Sequence, residues 1–422
     1  MKKILALLLA CFMIVGIFAS CTPAEPQGGE NETDGGNEST EPKAVTLKVW
    51  GPQEDQTSGE TEGWLNKMCD QFNEDHPEWD ITFEYGVCSE GDAGNKISQD
   101  PEAAADVYFF ANDQLGTLLQ ANAISKLGGD ALNQVKANNS ENMVASVSAD
   151  GSVYGVPFTG NTWFMFYNKS MFSEEDVKSL DTMLAKGKVS FPLTTSWYLA
   201  SFYVANGGTL FGENGVDAEA GIQFGGDNGA AATKYLVDLV ANPNFVNDAD
   251  GAGVSGLLDG SIGAAFSGTW DAQKIADALG ENYGACALPT ITINGEAKQL
   301  RSFAGSKAIG VNPNCDNPEV AVALAAFLGN TEAQKAHYEM RGIVPCDKAL
   351  LADEALLSDL AALAQDATIA NTSILQPSIP EMGAYWTPAE NMGKAIIAGE
   401  VTADNYAQKT EDFNTSLNES SL

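Results

Sequence analysis

The chain has 422 residues, with 57 acidic against 22 basic and a net charge of −35. That length exceeds what one hydrophobic core organises and suits two lobes. The acidic surface repels nucleic acid and anionic lipid, so neither is expected as a partner. Past the amino terminus the longest apolar run, residues 320–328, is too short to cross a bilayer.

Lys2 and Lys3 precede an apolar run from Ile4 that ends in Phe18-Ala19-Ser20-Cys21. A positive start, an apolar stretch and small residues make a secretory signal peptide over residues 1–20. A Cys directly after small residues resembles a bacterial lipobox, which implies diacylation of Cys21. The competing reading is an ordinary signal peptide with Cys21 a bystander. Residues 22–44 lack large apolar side chains and cannot offset chain entropy. Residues 21–44 are therefore expected to form a lipidated, flexible linker, with membrane contact only through the anchor.

Folding is expected to start at Val45. Residues 46–50 alternate as a strand, and Trp64, Leu65, Met68 and Phe72 share one helical face. Residues 81–85 alternate again. Residues 107–110 are wholly apolar, as in a parallel sheet covered on both faces. Leu115, Leu118 and Leu119 predict a short helix, and this alternation predicts an α/β layer. Residues 163–167 predict a buried strand opening a second lobe. Ser173 and Asp176 fit a capping box before a helix carrying Val177, Leu180, Met183 and Leu184, which Gly187 ends. Tyr235, Leu236, Leu239 and Val240 mark a further helix. A strand at 307–311 and a helix opened by Asn317 and Pro318 follow. Two helices near 388–398 and 402–417 close the chain.

Catalytic patterns are sparse. The two His, His76 and His337, sit beside no nucleophile motif, and neither a G-x-S-x-G nor a phosphate-binding glycine loop is present. Asp248-Ala-Asp250-Gly251 lacks the later ligands of a calcium loop. No enzyme activity, cofactor or metal is expected, although paired carboxylates for glycoside hydrolysis remain open among so many acids. Five Cys follow the lipobox: Cys69, Cys88, Cys286, Cys315 and Cys346. Their spread fits no disulfide framework; a Cys69–Cys88 pair stays possible beside five free thiols. The aromatic residues Trp50, Phe110, Trp197, Tyr198, Trp270, Tyr385 and Trp386 fall at strand ends or in turn-rich segments. Ring faces there suit the C–H faces of sugars, while amides and carboxylates take the hydroxyls.

Four stretches carry a family resemblance: Asp106-Val-Tyr-Phe-Phe110-Ala-Asn-Asp113, Val153-Tyr-Gly-Val-Pro157 with Phe166-Tyr-Asn-Lys169, Gly263-Ala-Ala-Phe-Ser-Gly-Thr-Trp270, and Ile379-Pro-Glu-Met-Gly-Ala-Tyr-Trp386. The chain resembles the extracellular solute-binding proteins of ABC sugar importers, maltose/maltodextrin-binding type. The resemblance implies a two-lobed, type II periplasmic-binding-protein-like α/β fold with the ligand cleft between lobes. It implies crossings near 159–161, 300–303 and 366–371. The lobes would then be residues 45–159 plus 303–366 and residues 160–302 plus 367–422. It places Glu54, Phe110 and Asp113 at the cleft from the first lobe and Asn161 at the hinge. Trp197, Tyr198, Trp270, Tyr385 and Trp386 come from the second. Asp55, Gln114, Asn161 and Ala272 stand where the family has Lys, Arg, Glu and Trp. A monomeric, lipid-anchored receptor outside the cell membrane is implied, handing an oligosaccharide, best a maltodextrin, to permease subunits. Another sugar, a polyamine or peptide, or a surface glycan hydrolase are the rival readings.

Overall fold

The computed structural model describes residues 41–419; the signal segment, Cys21 and most of the linker lie outside them. The first strand, Lys43–Gly51, starts two residues before Val45 because Lys43 and Ala44 already pair with Trp79 and Asp80. Two sheets organise the chain. The first has the order Ser373–Leu375, Ser302–Val311, Val107–Ala111, Lys43–Gly51, Trp79–Val87, with Gly155–Thr162 also paired to Ser302–Val311. The second has the order Phe245–Asn247, Val189–Phe191, Ala264–Ser267, Phe164–Asn168, Tyr283–Cys286. Each sheet is mixed, and each has its own core.

The helix Trp64–Asp75 packs the four residues of its apolar stripe, Trp64, Leu65, Met68 and Phe72, into the first core. There Trp64 meets Phe109 edge-on and lies parallel to Phe158 at 6.3 Å. All five residues of Val107–Ala111 are buried, as a strand covered on both faces requires. The second core gathers Trp163, Phe191, Phe202, Phe266 and Tyr385. Its edge-to-face contacts, Trp163–Phe191 at 5.6 Å and Phe191–Phe266 at 4.9 Å, add to the area buried. The five Cys within the described residues are free thiols.

Two crossings join the lobes where antiparallel strands Gly155–Thr162 and Ser302–Val311 run side by side. Thr162 fixes that seam by donating to the Phe303 carbonyl at 2.8 Å. The third connection is built from a helix and a short strand. The helix Leu360–Asn371 passes residue 366 unbroken and packs Ala361 and Ala364 against Phe164 and Phe166 of the second sheet. The chain then returns to the edge of the first sheet as Ser373–Leu375 before the next helix packs on the second lobe. Gln365 and Asp366 lie inside this unbroken helix, so the chain does not change element at 366.

Two helices differ from their sequence signals. Ser173 and Asp176 do bond reciprocally, Asp176 Oδ2 accepting from the Ser173 N–H at 3.0 Å and Ser173 Oγ from the Asp176 N–H at 3.3 Å. They close only a 3₁₀ turn, and the α-helix Leu180–Leu184 has its own cap in Ser179. The helix expected from residue 388 begins instead at Gly383 and holds Pro388 inside it. Pro388 forfeits one backbone bond to the turn below. The burial of Tyr385, Ala389, Met392 and Ile396 along one face outweighs that loss.

Candidate functional site

A cleft of about 410 Å³ opens between the lobes, lined by Glu90, Gly91, Ala111, Asp113, Asn161, Trp197, Trp270, Lys307 and Trp386. Its two walls differ in chemistry. The three tryptophans stand in the first turns of three second-lobe helices, Ser196–Ala205, Thr269–Leu279 and Gly383–Ile397. Those first turns also leave backbone N–H groups without intrahelical partners. The opposite wall and floor are polar. Glu90 sits in the 3₁₀ turn Glu90–Asp92, Asp113 in the turn that ends Val107–Ala111, and Asn161 and Lys307 on the paired crossing strands.

The rings are held by identifiable contacts. Trp197 and Trp270 lie 6.2 Å apart at a 36° tilt, forming one aromatic face. Trp197 Nε1 donates to Gln376 Oε1 at 2.8 Å, and the Gln376 N–H donates to the Ala304 carbonyl at 2.9 Å. Trp386 meets Phe303 edge-on at 6.3 Å and Tyr385 at 5.1 Å. Trp270 is 43 % exposed, its ring lying over Gly268. A Cβ at Gly268 would come within 2.1 Å of Trp270 Cζ3, so only glycine lets the ring lie that flat.

On the polar wall, Asp113 is half-buried, and loss of hydration pushes its carboxyl pKa up. The Gln114 side chain, donating to Asp113 Oδ2 at 2.8 Å, and a backbone N–H oppose that rise. Lys307 Nζ lies 3.1 Å from Glu90 Oε1.

Of the nine residues expected at the cleft, the structure brings together Asp113, Asn161, Trp197, Trp270 and Trp386. Four lie elsewhere. Phe110 is fully buried in the first core, its ring against Tyr108 and over Gly155, where a Cβ would come within 2.8 Å of it. Strand alternation puts Phe110 on the face of Tyr108, inside the lobe. Tyr198 lies behind Trp197 and packs on Trp163 at 4.8 Å, because both residues belong to a helix rather than a loop. Tyr385 is fully buried; its hydroxyl donates to the Ser196 carbonyl at 2.6 Å and ties the helix of Trp386 to that of Trp197. Glu54 is exposed, outside the lining, while the next residue, Asp55, turns inward to His337 and Arg341.

Both His make structural contacts: His337 Nε2 with Asp55 Oδ1 and His76 Nδ1 with Glu78 Oε1, each at 3.0 Å. Asp248 Oδ1 accepts from the Gly253 N–H at the start of Ala252–Asp259, the ordinary work of a helix terminus. Among the described residues no cluster of His, Cys, Asp or Glu could hold a metal ion, and no helix is long and apolar enough to cross a membrane.

The model of the bacterial extracellular solute-binding protein family matches residues 67–365, more than half of the chain. The chain belongs to that family. A protein solved with acarbose is 53 % identical, with a TM-score of 0.85 over 89 % of this chain and 99 % of its own. A maltooligosaccharide ABC transporter solute-binding lipoprotein of Streptococcus pneumoniae R6 is 27 % identical over 74 % of this chain and 77 % of its own. A galactooligosaccharide-binding protein of Bacillus subtilis 168 is 27 % identical over 70 % of this chain and 72 % of its own. The two-lobed α/β architecture is that of the acarbose complex. In a solute-binding protein, an interlobe cleft with rings on one side and polar groups on the other is where a solute is held.

Glu90 and Lys307 were not legible as cleft residues. Glu90 is one of 57 acids. Lys307 did leave a signal: it is the one charged residue in the strand Ser302–Val311 (SFAGSKAIGV), whose neighbours are otherwise small or apolar. A lone Lys in a buried strand needs a partner or a task.

Proposed function

We propose that this protein is the substrate receptor of an ABC importer for an oligosaccharide, with an α-glucan of maltodextrin type as its ligand. The observation that carries this is the cleft itself: Trp197, Trp270 and Trp386 turned toward Asp113, Asn161 and Lys307. Rings cover the C–H faces of glucose units, and the polar wall takes the hydroxyls. Acarbose is a mimic of an α-glucan oligosaccharide, and 53 % identity to a protein solved with it favours that class over the galactosaccharide of the more distant relative.

Ligand contacts to both walls favour a closed form, which shifts the hinge equilibrium. The two crossing strands, with Asn161 and Lys307 on them, are the floor about which closure takes place. The closed monomer would then dock on permease subunits in the membrane. Lipid on Cys21 keeps it at the extracytoplasmic face, and residues 22–44 set its reach. The chain acts as a binding protein, without turnover of its ligand.

The test is calorimetric titration of the soluble chain with maltose, maltotriose, maltotetraose and a galactooligosaccharide, monitored also by tryptophan fluorescence. Tight binding of the α-glucans with unchanged sugar afterwards supports the reading. Preference for the galactooligosaccharide replaces the ligand class, and released glucose replaces the binding role with hydrolysis.

A further inference from the structure

Glu90 and Lys307 form an ion pair that the family resemblance does not supply and that the fold alone does not explain. Their side chains are 11 % and 27 % exposed, with Lys307 Nζ 3.1 Å from Glu90 Oε1. Desolvating such a pair costs more than an apolar pair of the same volume, so it contributes little as a structural element. Both residues line the sugar cleft opposite the tryptophans, and Lys307 is the only cation in that lining. Each keeps capacity in reserve. Among the described residues Glu90 Oε1 is the one side-chain partner of Lys307 Nζ, which leaves two N–H directions, while Glu90 Oε2 has no hydrogen-bond partner.

We propose that Glu90 and Lys307 together read two adjacent hydroxyls of one sugar ring, and so determine which saccharide the cleft accepts. The inference rests on the receptor function proposed above. Neighbouring oxygens on a pyranose, when gauche, are separated by about one hydrogen-bond length, which the 3.1 Å span of the pair matches. The carboxylate accepts the proton of one hydroxyl, and the ammonium donates to the oxygen of the next. Both bonds are charge-assisted, the stronger kind. The pair also brings no net charge to a neutral ligand. Its place is fixed before closure: Lys307 stands on the crossing strand opposite Thr159 and Glu90 on a first-lobe turn. The rings then close over a sugar whose hydroxyl edge is already oriented.

The test is a double-mutant cycle on the soluble chain: Glu90→Gln, Lys307→Met and the double variant, titrated with maltotetraose beside the wild type. Melting curves of the four proteins are taken in parallel. The double variant is neutral and nearly isosteric, so it removes the charges without stranding either one. A hydroxyl-reading pair predicts that it binds about 100-fold more weakly than wild type while melting close to it. A purely structural pair predicts the opposite order: the singles weaken binding by stranding a charge, and the double variant recovers to within twofold of wild type. That recovery overturns the inference while leaving the receptor reading intact. Failure of the wild type to bind any saccharide overturns both.

Discussion

Replacing Trp270 by Ala removes the most exposed ring of the cleft and almost nothing from either core. A tryptophan offers at most about 250 Å² of surface, so 43 % exposure leaves about 100 Å² for a ligand to cover. At about 25 cal/mol per Å², full coverage is worth about 2.5 kcal/mol and half coverage about 1.3. The expected loss of affinity for maltotetraose is therefore about 10- to 70-fold. Stability should change little, because Trp270 belongs to neither hydrophobic core and packs only on the cleft rim. Calorimetry measures the affinity and a thermal melt the stability. Affinity within twofold of wild type would refute the stacking role. A melting point lowered along with the affinity would show that the ring belongs to the core instead.

Gly268→Ala keeps the tryptophan but lifts its ring; the extended backbone at Gly268 (φ −124°) accepts alanine, so the clash falls on the ring alone, and calorimetry should show a loss of about 10-fold at near wild-type stability. Tyr385→Phe deletes the bond to the Ser196 carbonyl; urea unfolding should register about 1 kcal/mol, with weaker sugar binding as Trp197 and Trp386 lose their common tie. Asp55→Asn tests the buried cluster with His337 and Arg341. Burial alone would raise that carboxyl, but the hydrogen bonds and charges of His337 and Arg341 outweigh it and hold it below the ordinary 3.8. A lowered folded value means that stabilisation is complete above 3.8 and lost as pH falls through the folded value. Urea midpoints should therefore put the wild type about 2–3 kcal/mol above the variant near neutrality, the gap closing only below 3.8. A gap independent of pH would contradict the assignment.

The layer plan was legible because burial leaves a direct imprint on sequence. The run 107–110 fits a strand covered on both faces, and the spacing of Trp64, Leu65, Met68 and Phe72 fits one helical face. The resemblance placed crossings near 159–161 and 300–303, but the pairing of Gly155–Thr162 with Ser302–Val311 is visible only in the structure. Side-chain direction was less legible. Phe110 and Asp113 belong to one stretch, yet alternation sends the first into the core and the turn sends the second to the cleft. Trp197 and Tyr198 are adjacent in sequence, but a helical step of about 100° puts one ring at the surface and the other behind it. Pro388 looked like a helix start because local propensity is read before tertiary packing is known. Lys307 is hidden for a different reason: its partner Glu90 lies 217 positions away in the chain, beyond the reach of any local pattern.

The hydrogen bond from Trp197 to Gln376 has a practical consequence. Gln376 directly follows the strand Ser373–Leu375 and is bonded to Ala304 of the first sheet, whereas Trp197 belongs to the second lobe. Swinging of one lobe against the other must stretch or re-aim that indole N–H, whose emission colour depends on what it donates to. The molecule thus carries an intrinsic optical gauge of its own bending, one that a single-tryptophan derivative could display without any attached dye.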